Sequence, residues 1–580
     1  MAAMTNTQII EVLHKISELL ELKGENKFKI RAYIKLSQFL SGYDHSLEDI
    51  YINGGMKALT EVPNLGLGIG KKIAELIDTG KLKYIDELKI GLPAGVEKFL
   101  DIPGMGPKTA FFVADTLKVK TVEELEEALK GHKLKDLKGF GEKTEEKLLH
   151  GIEIYKRGHE RRLLGFAYPL AMEIIRELKS KHKISKIEAA GSLRRMKETV
   201  GDIDILAASE DKAIMETFCA SKHVSSIIAK GETKSSIYTV YGIQVDLRLV
   251  SADSYGAALQ YFTGCKEHNI SIREMAVKAG YKLNEYGLYK GSSAKPAAAE
   301  NEEDIYTKLG LQYIPPELRE GSDEIEKAKE NKIPVIVERK DIKGDLHCHS
   351  THSDGHDSIA DMAAGAQKRG YEYLSITDHS QALRVARGLK PEELIKQEIE
   401  IDALNKKNPG FKIFKSSEVD ILEDGTLDYP EEILKNMDLV IGSVHSHFNL
   451  SKEVMTKRLL KAMDNKYLTI IGHISGRVIN HRDPYELDYE AVFEKAAKTG
   501  TVIEINANPE RLDLVDVRIK EAIRMGVKLC INTDSHAESQ LDYMHYGIGT
   551  ARRGWAVKAD IINTMTLKQL EKWLDGRKRP

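Results

Sequence analysis

Nine residues of metal-binding type are dispersed between His347 and His536. His347 and His349 stand in GDLHCHS, Asp354 in HSDG, His379 in TDHS, Glu418 in SSEVD, His445 in GSVHSH, His473 in IGHIS, and Asp534 and His536 in TDSH. Strand side chains alternate between faces, so an HxH pair sets both imidazoles on one side; Asp534 and His536 repeat that spacing. Imidazole mixed with carboxylate suits zinc, manganese or iron. Such cations lower the pKa of bound water and can supply a nucleophile near neutral pH. One histidine alone is usually surface or structure. The set gains weight because most of its motifs close apolar runs. His447 reads as a supporting or exposed histidine. Arg477 and Arg482 could meet substrate phosphate or lie on the surface.

A second constellation lies upstream: GSLRR (191–195), ETVGDIDIL (198–206) and VDLRL (245–249). Asp202 and Asp204 are two apart on an expected strand and point the same way, and Asp246 on another strand could complete a triad. Three carboxylates on a sheet face form a hard oxygen site suited to Mg2+. Two cations there would activate a 3′-hydroxyl and stabilise a leaving pyrophosphate. A lone DxD is weak, and most such pairs are solvated strand ends. Preceded by Gly-Ser in a strand–turn–helix context, the pattern resembles the nucleotidyltransferase superfold, which implies that Gly191 lets the backbone approach a triphosphate, with Ser192 and Arg195 on its phosphates.

These residues need elements to hold them. The first 150 residues read as helical, with Ile9, Leu13, Ile16 and Leu20 at helical spacing. Glycine-rich units recur at GLGIGKK (66–72), IPGMGPKTA (102–110) and LKGFGEKTEEKL (137–148), an irregular internal repeat. From 151 onward KIEAAGSL, VGDIDILAAS, SSIYTVYG and IQVDLRLV read as strands of a mixed sheet. Mixed helix and loop follow over 253–320, including a stretch of flexible composition, GSSAKPAAAENEE (291–303). A charged segment (319–332) leads into a region where YLSITDHS, FKIFKSSEVDI, LVIGSVHS, LTIIGHIS, TVIEINANP and VKLCINTDSH alternate with amphipathic helices. That alternation predicts β/α units around a parallel sheet or barrel, with chemistry at the C-terminal strand ends.

Composition sets outer bounds. The 580 residues are 42% hydrophobic and 30% charged, enough to fold several domains. The net charge of −3 lends no global support to nucleic-acid binding. No run is long and apolar enough to span a bilayer, and MAAMTNTQII has no secretory pattern. Cys219, Cys265, Cys348 and Cys530 do not form a disulfide framework, so a reduced, cytoplasmic protein is expected.

The nine-residue set resembles the PHP (polymerase and histidinol phosphatase) superfamily over roughly 340–575. The resemblance implies a distorted (β/α)7 barrel with three ions, Mn2+ or Zn2+. It puts His347, His349, Glu418 and Asp534 on one, Glu418, His445 and His473 on the second, and Asp354, His379 and His536 on the third. Over about 1–320 the chain resembles the DNA polymerase beta group, on the acid motifs, on YFTGCKEHNISIR (261–273) and on EEDIYTKLGLQYIPPELRE (302–320). By that resemblance Gly191, Ser192, Arg195, Gly201, Tyr261, Phe262 and Gly264 line the nucleotide pocket and Asn269 reads the minor-groove edge of the nucleotide. Arg248 and Arg273 would contact DNA. Gln244 departs from the pattern, since animal relatives carry arginine there.

The glycine units resemble helix–hairpin–helix motifs, whose exposed amides bind phosphate regardless of sequence. This assigns Gly68, Gly70, Lys72, Gly104, Gly106 and Lys108 to DNA, with Lys71 adding charge. Lys29, Lys72 and nearby Tyr33 match positions that hold a gap's 5′-phosphate. The position of the lyase lysine is Leu76, which cannot form an imine.

Together these imply a bacterial-type family X DNA polymerase with a fused PHP phosphoesterase, multidomain α+β and α/β. The expected parts are helical DNA-binding domains at 1–85 and 86–150, a nucleotidyltransferase palm at 151–252, a thumb at 253–320, a linker at 321–340 and the PHP domain at 341–575. It would fill short gaps in primed or gapped double-stranded DNA from deoxynucleoside triphosphates, in base excision repair, as a monomer. The barrel would add 3′→5′ exonuclease, with AP-endonuclease or 3′-phosphatase activity as further outlets. Two alternatives stand beside this: a PHP phosphatase whose N-terminal half only binds DNA, and a non-enzymatic scaffold.

Overall fold

Ile9, Leu13, Ile16 and Leu20 are all buried, as their spacing predicts, on helix Asn6–Leu22 against Lys27–Ser41. The computed structural model describes residues 4, 6–41, 46–102, 104–135, 137, 140–291 and 293–577. The chain divides into Met1–His159 with Asn480–Arg482, and Glu160–Ile479 with Asp483–Pro580. Among the described residues no helix is long and apolar enough to cross a membrane, and the four cysteines are free.

The first unit is helical, and its three glycine units share one local geometry. In each, an apolar residue accepts from the amide three residues on: Leu65 N to Val62 O at 3.2 Å, Met105 N to Ile102 O at 3.0 Å, Phe140 N to Leu137 O at 3.0 Å. A glycine then starts the next helix: Gly66 for Leu67–Thr79, Gly106 for Pro107–Leu117, Gly141 for Glu142–Glu160. The first glycine of the third unit, Gly139, lies outside the described residues.

In the second unit the palm is a five-stranded mixed sheet. Strand β1 (Arg162–Leu163) pairs with β3 (Thr199–Val200) beside it. The main sheet runs β2 (Lys186–Ala189), β4 (Asp202–Ala208), β7 (Gln244–Val250), β6 (Lys234–Thr239), β5 (Val224–Lys230), with β4 and β7 parallel and the other pairs antiparallel. The thumb adds helices Tyr255–Thr263 and Lys266–Lys278 and a hairpin of β8 (Tyr281–Asn284) and β9 (Gly287–Lys290). Two expectations change here. The described part of the stretch, 293–303, is tied down despite its composition: Ala298 and Ala299 are buried, Leu288 N reaches Ala298 O, and Ala257 N reaches Ala299 O, each at 2.8 Å. The charged segment is likewise folded, with Arg319 and Glu324 fully buried. Arg319 meets Glu302, which also takes a bidentate pair from Arg194 at 2.9 and 2.8 Å. His268 bridges Glu324 at 2.8 Å and Tyr306 at 3.0 Å. A buried carboxylate is tolerated only when paired in this way.

The barrel strands run in chain order, all parallel: β10 (Gly344–Cys348), β11 (Tyr373–Ile376), β12 (Lys412–Asp420), β13 (Leu439–Ser443), β14 (Ile470–Ile471), β15 (Val502–Asn506), β16 (Leu529–Asn532). First and last meet through a Cys348–Ser535 bridge and His349 N to Ser535 O at 2.7 Å, which nearly closes the ring. Leu570 and Leu574 of the last helix pack on Leu346, Phe414, Ile470 and Cys530. Palm and barrel are in direct contact. Gly165 abuts Pro509, and Met196 abuts Gly549.

Candidate active sites

Closing the barrel gathers the nine dispersed residues at one end. β10 delivers His347 and His349, β11 His379, β12 Glu418, β13 His445, β14 His473, and β16 Asp534 and His536; Asp354 comes from the loop after β10. Glu418 is central and buried. His379 Nδ1 and His473 Nε2 lie 2.9 Å from its carboxylate, His445 Nε2 3.3 Å, His347 Nε2 3.5 Å and His349 Nε2 3.6 Å. Asp534 Oδ1 is 3.1 Å from His349 and 3.6 Å from His347. Asp354 lies 3.6 Å from His379 and 3.5 Å from His536. Donor atoms converge as His347/His349/Asp534, as His379/Glu418/His445, and as His349/Asp354/His379/His536. These overlap the expected sets but are not identical: His379 reaches Glu418 as well as Asp354, and His349 joins the third group.

Several of these atoms are buried without a hydrogen-bond partner: His347 Nε2, His349 Nδ1 and His473 Nδ1. Desolvated donors with nothing to bind are costly unless a cation satisfies them, so the residues fit divalent metal. Asp534 and His473 also adopt positive φ, 54° and 23°, a strained backbone kept by its surroundings.

The sequence left β15 without a ligand. Its contribution is Glu504, fully buried, which accepts from His347 Nδ1 at 2.7 Å, from the His473 amide at 2.8 Å and from Asn532 at 2.9 Å. It fixes the His347 ring so that Nε2 faces the centre. An acid inside the apolar run VIEIN was its signal. Asp378 supports the loop after β10 through Ser350, Ser353 and Gln397. Of the arginines, Arg477 is not free for substrate. It is buried against Glu198 at 2.7 Å and the carbonyls of Arg511 and Leu512. Arg511 instead approaches the centre, 3.8 Å from Asp534. His447 is exposed.

Charge follows this geometry. Burial alone would depress these histidines, but carboxylates outweigh it: Glu504 and Glu418 raise His347, Glu418 and Asp354 raise His379, Glu418 and Asp420 raise His445, Asp354 and Asp534 raise His536. His349, pressed by burial and by His536 and His379, falls to about 4 and is neutral. Protons on the raised rings compete with metal, so loading weakens as pH falls. We therefore expect any divalent-metal-dependent activity of this centre to decline as pH drops towards about 6.5, with added metal moving the midpoint down. Metal-dependent rates that stay flat across that range would contradict the raised rings.

In the palm, the parallel register sets Asp204 beside Asp246, and Asp202 begins the same strand, exposed. Burial, then Asp202 and Asp246, push the Asp204 carboxyl up to about 6. Crowded acids of this kind suit divalent cations. Asp246 is held below the usual range, since bonds from Lys234, Gln244 and Ser236 outweigh its burial. Gln244 Nε2 donates to Asp246 at 2.8 Å and Lys234 lies at 2.9 Å, so two groups hold this carboxylate. Gly191, at φ +59°, passes so close that a Cβ would sit 2.5 Å from Asp204 Oδ2.

Around this triad Ser192 lies in the turn helix Gly191–Arg194, and Gly201 directly precedes Asp202. Tyr261 and Phe262 pack edge to face at 5.1 Å, and Arg248 stacks over Phe262 at 4.4 Å. Asn269 donates to the carbonyls of Tyr261 at 2.7 Å and Gly264 at 3.0 Å, locking the turn. Any side chain at Gly264 would strike Asn269. Arg273 is exposed on the same helix. Arg195 is bound to Glu320 and Thr263.

In the helical unit, Gly66 and Gly106 start their helices without a side-chain cap, whereas Ser46 and Thr121 cap theirs. Uncapped amides are the anion-binding kind. Gly68 is exposed in that first turn and Gly70 is buried; Gly104 takes φ +82° in its hairpin, and Lys108 is exposed. Lys72 and Lys29 converge on the Tyr84 ring at 4.4 and 5.8 Å. Tyr33 is buried, its hydroxyl pushed up to about 12 by burial and by Tyr84.

Family profiles match four segments: a helix–hairpin–helix domain at residues 4–82, a SAM-like helix–hairpin–helix tandem at 96–153, a DNA polymerase beta thumb at 258–320 and a PHP domain at 345–508. The DNA polymerase/3′–5′ exonuclease PolX of Bacillus subtilis (strain 168) is 40% identical over 574 residues, covering 98% of this chain and 99% of its own. A probable phosphatase of Thermoanaerobacter sp. (strain X514) is 30% identical over 250 residues, 40% of this chain and 95% of its own. One from Syntrophotalea carbinolica is 28% identical over 254 residues, 40% and 94%.

Proposed function

The chain belongs to the family of the DNA polymerase/3′–5′ exonuclease PolX, and from that premise we infer that it both extends and trims DNA 3′ ends, at two separate metal-dependent sites. The observation that carries this is the convergence around Glu418 of eight expected ligands in three overlapping groups, with His473 2.9 Å from the same carboxylate, in the same chain as the palm acids. Similarity along both halves speaks against a phosphatase with a merely DNA-binding front.

The palm reading assigns Asp202, Asp204 and Asp246 to Mg2+. Gly191, Ser192, Arg195, Gly201, Tyr261, Phe262, Gly264 and Asn269 form the nucleotide pocket, and Arg248 and Arg273 contact DNA. Asn269 acts first as the lock of the Tyr261–Gly264 turn. The barrel reading assigns its nine ligands to three ions, Mn2+ or Zn2+. Such ions supply Lewis acidity toward phosphoryl oxygens and lower the pKa of water. Around them Glu504 orients His347, and Arg511 is positioned to hold substrate phosphate. The parts work as two DNA-binding segments (1–85, 86–150), a palm (151–252), a thumb (253–320), a packed connector (321–340) and a barrel (341–575). The preferred substrate is a short gap in duplex DNA, as in base excision repair.

The test is a one-nucleotide gap with labelled primer. With Mg2+ and dNTPs the primer should lengthen; with Mn2+ and no dNTPs it should shorten from its 3′ end. Failure of either arm sinks the corresponding half.

At the gap's 5′ side, Lys29 and Lys72 would bind phosphate. Leu76, buried on the core face of its helix, leaves no amine at the lyase position. Borohydride should trap little or no covalent adduct on abasic DNA. Strong trapping at one lysine of the first unit would overturn this assignment.

A further inference from the structure

The palm turn after Gly191 is held from behind by the barrel. Arg195 Nε donates to Glu320 Oε1 at 2.7 Å, and Nη1 donates to Thr263 O at 2.8 Å, at the end of the helix carrying Tyr261 and Phe262. The same Glu320 oxygen accepts from Arg553 Nη1 at 2.9 Å, and that nitrogen also donates to Arg195 O at 3.0 Å. Arg553 ends the barrel helix Met544–Arg553, its side chain is 6% exposed, and its Nη2 is anchored on Asp516. Neighbouring residues are gripped too: Met196 packs on Gly549, and Glu198 pairs with Arg477. Burial opposes the Glu320 charge, yet Arg553 and Arg195 outweigh it and hold the carboxyl down at about 2.

A guanidinium fixed at Nε and Nη1 has its plane set, which leaves Nη2 to meet an anion in one orientation. Among the described residues, Arg195 Nη2 makes no hydrogen bond to protein. We propose that Arg553, a barrel residue, is a positioning residue for nucleotide addition: it fixes Glu320 and the Arg195 carbonyl, and so presents Arg195 to the phosphates of the incoming nucleotide. This rests on the reading of Arg195 as a phosphate contact. Arg553 touches none of the nine barrel ligands, so its effect is confined to synthesis.

The full chain and its R195A, R553A, R553K, E320Q and E320Q/R553A variants are compared for kcat and dNTP KM on a one-nucleotide gap, and for exonuclease rate. R195A should raise KM most. R553A should raise it roughly five- to tenfold with a smaller change in kcat, R553K should recover part of the loss, and the exonuclease rate should stay at the parent value. E320Q/R553A should be little worse than the worse single variant, because both act through one carboxylate. An unchanged KM in R553A where R195A raises it overturns the role of the barrel. An unchanged KM in R195A overturns the Arg195 reading and the route through it. Additive losses, or an exonuclease rate and unfolding midpoint that fall in step with KM, would make Arg553 merely structural and also overturn it.

Discussion

Glu418→Ala should lower 3′→5′ degradation by about a thousandfold or more while primer extension continues at the parent rate. Five histidines face this one carboxylate, and its two oxygens divide them: His445 and His473 on Oε1, His347, His349 and His379 on Oε2. By the proposed assignment of the ligands, removing it would take a donor from two ions at once. Loss of several kcal/mol of transition-state stabilisation follows, at roughly tenfold per 1.4 kcal/mol. Asp534→Asn is a gentler companion that keeps the shape. Both are read by 3′-end degradation in manganese beside gap filling in magnesium. Retained degradation in both variants would remove the barrel from the nuclease assignment.

The mirror experiment is Asp204→Ala, for which synthesis should fall by about a thousandfold or more with degradation intact. Asp204 lies between Asp202 on its own strand and Asp246 across the ladder, and Gly191 leaves no room for a larger residue beside it. Relief of repulsion could make the variant more stable than the parent, since the Asp204 carboxyl is pushed up to about 6 by burial and by its acidic neighbours. Because the folded value is raised, its unfavourable contribution is present above about pH 6 and fades as pH falls. A variant with normal unfolding, normal nuclease and no synthesis would tie the loss to metal chemistry; normal synthesis would dissolve the triad.

Much of this was legible in the residues. Ligands at strand ends were visible because a polar residue closing an apolar run breaks the pattern, and strand order in a β/α ring follows chain order. Glu504 was harder: it acts through His347 and closes no run of its own, so its one signal was an acid inside the apolar run VIEIN. β5 went unread for the opposite reason, as nearly all its side chains are exposed and it shows no alternation. The 291–303 stretch has the composition of a linker, yet backbone hydrogen bonds to Leu288 and Ala257 hold its described part. Arg477 and Arg511 illustrate a further limit. Their sequence surroundings gave no sign of which would turn toward Glu198 and which toward Asp534.

The ion pairs that join the two catalysts share a polarity. Glu198, Glu317, Glu320 and Asp323 lie on the synthetic side, facing Arg477, Arg552, Arg553 and Lys520 on the hydrolytic side. In these four pairs the polymerase half supplies the carboxylates and the barrel the cations, although Arg195 and Lys197 on one side and Asp516 on the other also lie in the joint. A polymerase half released by truncation near residue 340 would bare a cluster of carboxylates behind its palm, and polyanionic DNA would be repelled over a Debye length of about 8 Å at physiological salt. The barrel thus doubles as an electrostatic screen, and its removal should cost DNA affinity most at low ionic strength.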